Sequence, residues 1–172
     1  MRLLQRTMTL IAALAAVCGC GALLSSGGQP KQPTTISTLV THRVWENKPT
    51  DQVFEAAVRV LHGSDFLIAA AEKSSGLLTT DWKAQQVTKG DGSVTKLRIR
   101  LSLLVFQETG VASSAALSYK PLVQVRRQQD GDWDDLPENE ELSAQTYKHL
   151  AKIRDDFFLE IQRYCGPSVQ RL

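Results

Sequence analysis

Lys96-Leu97-Arg98-Ile99-Arg100-Leu101-Ser102-Leu103 decides the fold of this chain. Leu97, Ile99, Leu101 and Leu103 fall on one side of an extended backbone, and Lys96, Arg98, Arg100 and Ser102 fall on the other. A period of two with one apolar and one polar side marks a strand in an antiparallel sheet that buries one face and wets the other. Upstream, Lys89-Gly90-Asp91-Gly92-Ser93 supplies a hairpin loop, and before it Leu78, Thr80 and Trp82 are placed on one face of a preceding strand. Ser74-Ser75-Gly76 turns into that strand from an earlier one in which Phe66, Ile68 and Ala70 alternate. Downstream, about Ala115 to Arg127 reads as the last of four strands, and Pro121 within it predicts an edge position or a bulge.

Two helical patterns flank these strands. Val53, Phe54, Ala57, Val60 and Leu61 recur at helical spacing, with Thr50 as cap, Asp51 in the first turn and Gly63 as the left-handed stop. Before them, Thr41-His42-Arg43-Val44-Trp45-Glu46 predicts a short strand ended by Asn47-Lys48-Pro49. A long helix from about Glu140 to Cys165 carries the stripe Tyr147, Leu150, Ile153, Phe157, Ile161 and Tyr164, and Gly166-Pro167 stops it. Neither helix hides its stripe alone. The order β-α-β-β-β-β-α therefore predicts an α+β domain, one antiparallel β-sheet packed by two helices, over residues 41–172.

The N-terminus predicts export. Arg2 and Arg6 precede the apolar run from Met8 to Val17, which is about half of the roughly 20 residues a membrane-crossing helix needs. A charged start, a short apolar core and then small residues form a secretory signal, assigned to residues 1–19. Val17-Cys18-Gly19-Cys20 resembles a lipobox, with Cys20 as the acceptor of a diacylglycerol thioether. Cys18 fits less well, because bulky Val17 would stand beside its cut. Ala22 is not the aspartate that retains many lipoproteins in the inner membrane, so the outer membrane is the expected location, with the domain facing the periplasm. Residues 20–40, rich in Gly, Ser, Pro, Gln and Thr, are expected to be a flexible tether.

Charge and cysteine content narrow the partners. Removing Arg2 and Arg6 from the 20 basic residues leaves 18 against 18 acidic ones, a formally neutral domain with no net field for nucleic acid. With Cys18 removed and Cys20 lipidated, Cys165 has no disulfide partner and reads as a buried structural thiol. Unlipidated, Cys20 could bridge to it in an oxidising compartment.

Val53-Phe54-x-x-Ala57, Asp65-Phe66-Leu67-Ile68, the run Glu72-Lys73-Ser74-Ser75-Gly76-Leu77-Leu78 and then Trp82 resemble the helix-grip domains of bacterial envelope lipoproteins. They are similar to the BamC lipoproteins of the outer-membrane β-barrel assembly machinery. The resemblance covers about Thr41 to Gly166 and implies a non-enzymatic accessory subunit bound to an envelope complex. BamC lipoproteins carry two such domains and a long N-terminal segment that binds a partner, whereas this chain offers one domain and a short tether.

No motif calls for catalysis, a cofactor or a metal. His42, His62 and His149 are scattered without ligand spacing, and there is no phosphate loop, Gly-x-Ser-x-Gly or His-Glu-x-x-His. The acidic run Asp130-Gly131-Asp132-Trp133-Asp134-Asp135, with Glu138 and Glu141, partly matches a calcium loop, but Asp135 stands where that loop needs glycine and Pro137 stiffens it. It reads as a solvated loop leading into the helix. Lys96, Arg98 and Arg100 form a basic stripe that is either the wet side of the sheet or a surface for an acidic partner or anionic headgroups. The leading expectation is a membrane-anchored scaffold lipoprotein with a protein partner. The alternative is a periplasmic module for a lipid or small apolar ligand. The first predicts a filled core and an exposed apolar patch, the second a roomy apolar cavity.

Overall fold

A computed structural model describes residues 34–110, 113–126 and 131–171; the signal, Cys20 and most of the expected tether lie outside them. In chain order the elements are β1 (Thr41–Trp45), α1 (Thr50–Gly63), β2 (Ile68–Glu72), β3 (Leu77–Thr80), β4 (Lys83–Thr88), β5 (Val94–Gln107), β6 (Ala115–Arg126), β7 (Asp134–Asp135), α2 (Ala144–Cys165) and β8 (Val169–Arg171). The domain is α+β, with one antiparallel sheet and two helices. The strands run β2-β3-β5-β6-β1-β8, with β4 also against β5 and β7 also against β6.

The alternating stretch that opened the sequence is the middle of β5. Its side chains Leu97, Ile99, Leu101, Leu103 and Val105 are buried. Opposite them on β6 stand Val123, Pro121, Tyr119 and Leu117, and directly opposed residues of an antiparallel pair share a face. The helices cover this face. Val53, Phe54, Ala57, Val60 and Leu61 of α1 and Leu150, Phe157, Phe158 and Ile161 of α2 join the same core. Trp45, Tyr119, Phe157 and Phe158 form an aromatic cluster with ring centroids 5.5 to 6.3 Å apart. Trp45 Nε1 donates to Gly166 O at 3.1 Å, tying β1 to the end of α2.

Several local expectations are corrected. The domain begins before residue 41. Thr35 bridges Glu141, a short 3-10 helix spans Ser37–Leu39, and Ile36 and Leu39 are 1% and 0% exposed in the core. Polar composition hid two apolar anchors in what reads as a tether.

Helix α1 has Pro49 rather than Thr50 at its cap position, and the left-handed residue after it is Asp65 at φ 59°, not Gly63. Helix α2 starts at Ala144 rather than Glu140, because the Ser143 side chain accepts a hydrogen bond from Thr146 N and caps it there. Its stripe also differs: Phe158 and Cys165 are buried, while Tyr164 is 49% exposed. Gly166 does stop the helix, at φ 80°.

Pro121 lies in a strand with neighbours on both sides, not on an edge. However, β1 pairs β6 only as far as Tyr119, and β7 pairs β6 only at Gln124 and Val125. The missing donor therefore falls in a gap on that flank of β6. The strands β7 and β8 were not expected. Both are too short to carry a periodic signal.

The strand expected to carry Leu78, Thr80 and Trp82 on one face breaks after Thr80. Asp81 N donates to Leu67 O at 2.7 Å, and β4 restarts at Lys83. Leu78 and Thr80 stay buried, but Trp82 emerges on the opposite side of the sheet, against Arg98 and Arg100.

Candidate functional site

The helices leave the second face of the sheet uncovered. Register places Lys96 opposite Arg126, Arg98 opposite Gln124 and Arg100 opposite Leu122, all on that open face. The basic stripe read from the sequence is thus brought together as expected, and Arg126 joins it across the ladder. Two tryptophans hold it in place. The Arg98 guanidinium lies 5.0 Å from the Trp82 ring centroid and 4.9 Å from that of Trp133. Arg100 lies 5.2 Å from Trp82, and Arg126 lies 4.9 Å from Trp133. The stack therefore runs Arg100, Trp82, Arg98, Trp133, Arg126. Each such contact at an exposed site is worth about 0.5–1 kcal/mol, and together they remove rotamer freedom from three long cations.

The cations are short of acceptors. Arg98 Nε donates to Gln124 Oε1, whose amide in turn donates to Asp135 Oδ1 at 2.6 Å. Among the described residues, no carboxylate forms an ion pair with Lys96, Arg98, Arg100 or Arg126. The Nε atoms of Arg100 and Arg126 are buried and have no hydrogen-bond partner there. A buried donor left unpaired costs about 1–3 kcal/mol, more for a charged group. Leu77, Leu104 and Leu122 stand beside the stack at 37%, 41% and 37% exposure, so the face mixes pinned cations, indoles and aliphatic surface. Arginine and tryptophan are both enriched at the centres of protein interfaces.

The acidic run is a short strand and turn. Asp134 and Asp135 pair with β6, and Trp133 before them lies on the stack, while Asp130 is outside the described residues. Cys165 is buried, with Sγ 3.8 Å from Gln52 O, and burial pushes its thiol up from the ordinary value. His62 is exposed, and His42 Nε2 lies 3.6 Å from Glu108.

His149 is half-buried on α2. It lines a cleft of about 200 Å³ between α1, α2 and β4, with Val60, Phe66, Leu101, Ile153 and Phe157. Its Nε2 is buried without a partner, and burial pulls the imidazole below its ordinary value. A second cleft, about 300 Å³, opens on the other side of β4 and is lined by Ala84, Gln85, Gln86, Lys96 and Trp133.

Sequence reasoning found Lys96, Arg98 and Arg100 but not Trp82, Trp133 or Arg126 as their neighbours. Trp133 sits in an irregular segment with no period to assign it a face. Arg126 could have been placed only by knowing the β5–β6 register.

No protein-family model matches the chain, and no curated protein matches it in sequence. Among solved structures it is similar to a TBP-like protein from Parabacteroides distasonis ATCC 8503, at 12% identity and a TM-score of 0.47. The match covers 71% of this chain and 90% of that one. At that level of likeness the fold class rests on the strand pairing itself.

Proposed function

We propose that this chain is a non-enzymatic lipoprotein, anchored through Cys20 to the outer membrane, whose domain docks a protein partner as an accessory or scaffold subunit of an envelope assembly. The observation that carries the docking role is the open sheet face, where Arg98, Arg100 and Arg126 are pinned by Trp82 and Trp133 and lack carboxylate partners among the described residues. The anchor and location rest on the N-terminal sequence and on the resemblance to BamC lipoproteins. An acidic, partly apolar protein surface complements this face in both charge and exposed leucine.

The competing reading, a carrier of a lipid or small apolar molecule, draws its support from the cleft at His149. That cleft holds about 200 Å³, below the roughly 300–1,000 Å³ of ligand sites that bury a drug-sized molecule. Mild-detergent co-purification of the natively expressed chain, with mass spectrometry of the companions, tests the docking role. Stoichiometric recovery of one envelope complex, lost when Lys96, Arg98 and Arg100 are all changed to glutamate, is the expected result. Recovery of the chain alone with bound lipid, and saturable binding of a solvatochromic dye, would replace it with the carrier.

A further inference from the structure

Strand β4 pairs with β5 on one side, and among the described residues no strand pairs with its other side. Ala84, Gln86 and Thr88 are exposed and Gln85 is half-buried. An edge of this kind presents a row of backbone N–H and C=O groups to solvent. What distinguishes it is that a cleft opens on each side of residues 83–86. Lys83 and Gln85 face the helix side, opposite Ile99 and Leu97, and both line the apolar cleft with Val60, Phe66, Ile153 and Phe157. Ala84 and Gln86 face the open side, opposite Arg98 and Lys96, and line the other cleft with Lys96 and Trp133.

We propose that the β4 edge, residues 84–88, receives an extended segment of a protein partner as an added strand, with acidic side chains turned to the Trp133–Lys96 cleft and apolar ones turned to the His149 cleft. In strand addition the main-chain hydrogen bonds supply affinity, and pockets for alternate side chains supply specificity. The pleat sends successive side chains to opposite faces, which matches one apolar and one cationic cleft to a pattern of period two. Residues of the added strand that turn to the open face stand about 10 Å, two strand spacings, from Lys96 and Arg98. A glutamate and the Lys96 side chain span that gap together, past Gln86, which stands opposite Lys96 on β4. Lys96 and Arg98 have no carboxylate partner among the described residues, so the incoming acid displaces no existing ion pair.

The occupant is not this chain's own leader or a second β4. Residues 20–33 contain no acidic residue, and neither does Lys83–Thr88. The acidic Asp134–Asp135 of a second copy is already paired with its own β6.

The inference rests on the docking role proposed above, and its test separates the two. The full chain, purified in mild detergent, is titrated with a short peptide alternating glutamate and valine while backbone amide shifts are followed. Saturable shifts centred on residues 84–88, lost when the peptide backbone is N-methylated and about tenfold weaker when lysine replaces glutamate, are expected. Equal binding by a peptide with the same residues in blocks, equal binding by the N-methylated peptide, or no shift at residues 84–88 would each overturn it. A partner that co-purifies but cross-links away from β4 removes this inference and leaves the docking role standing. A peptide that binds the edge when no partner co-purifies does the reverse.

Discussion

Gly76 joins the β2–β3 hairpin to β5, and replacing it by alanine isolates one physical demand of the fold. Its φ is +71°, and a Cβ built there falls 1.8 Å from Val105 O and 2.9 Å from Val105 C. Both atoms are backbone of the central strand and cannot rotate away. Val105 N also donates to Gly76 O at 2.9 Å, a bond that separation of the two segments would break. Left-handed geometry costs an alanine roughly 1–2 kcal/mol, and a buried donor losing its partner costs about 1–3 kcal/mol more. Gly76→Ala is therefore expected to cost about 2–5 kcal/mol. Gly92→Ala is the control, since Gly92 has φ +82° but nothing within 4 Å of its added Cβ. It bears the backbone term alone, about 1–2 kcal/mol. The two variants share the gain from a less flexible unfolded chain, so their difference is the close approach. Urea unfolding should read that difference as about 1–3 kcal/mol, and thermal melts as roughly 3–12 °C. Equal midpoints for the two variants would refute the reasoning.

Three further outcomes follow from named contacts. Ile36→Ala is expected to destabilise the domain by about 2–5 kcal/mol, because Ile36 is 1% exposed in the core; an unchanged urea midpoint would put residues 34–40 outside the folded unit. Cys165 should react with a thiol reagent at least about a hundredfold more slowly in the native chain than in urea, given its burial and raised thiol value, and comparable rates would contradict its buried place at the end of α2. Burial holds His149 below the ordinary imidazole value, so the unfolded chain takes up the proton first as pH falls. Its contribution is complete above the ordinary value and is lost as pH drops from there towards the folded one. His149→Gln should therefore flatten the fall in urea midpoint between about pH 7 and about pH 5, and an unaltered slope would show that His149 is not responsible.

The sheet was legible where the period of two persists. Leu97 to Leu103 assigns both faces of β5 from sequence alone, and from that one strand follow the buried helices and the open basic stripe. Legibility failed where a single hydrogen bond or contact redirects the chain. The Asp81 N to Leu67 O bond turns Trp82 to the open face, and nothing in the alternation of Leu78, Thr80 and Trp82 announces it. Ser143 rather than an acidic residue sets the start of α2, because its hydroxyl meets Thr146 N while the acids before it occupy the turn. Ile36 and Leu39 fill the core from a segment whose composition is that of a tether. Half of the candidate site was visible as Lys96, Arg98 and Arg100. The other half, Trp82, Trp133 and Arg126, depends on strand register and on the contact of Trp133 with Arg98 and Arg126, which are long-range facts.

The measurement that most directly tests the docking role is photo-cross-linking in intact cells, with a photoreactive residue placed in turn at Gln86, at Leu122 and at Lys152. Gln86 lies on the β4 edge, Leu122 lies on the open sheet face beside Arg100, and Lys152 lies on the exposed side of α2. The account predicts one discrete envelope-protein adduct from Gln86 and Leu122, absent from Lys152 and abolished by glutamate at Lys96, Arg98 and Arg100. Adducts from Lys152 alone, or adducts from the sheet that survive the charge reversal, would contradict it.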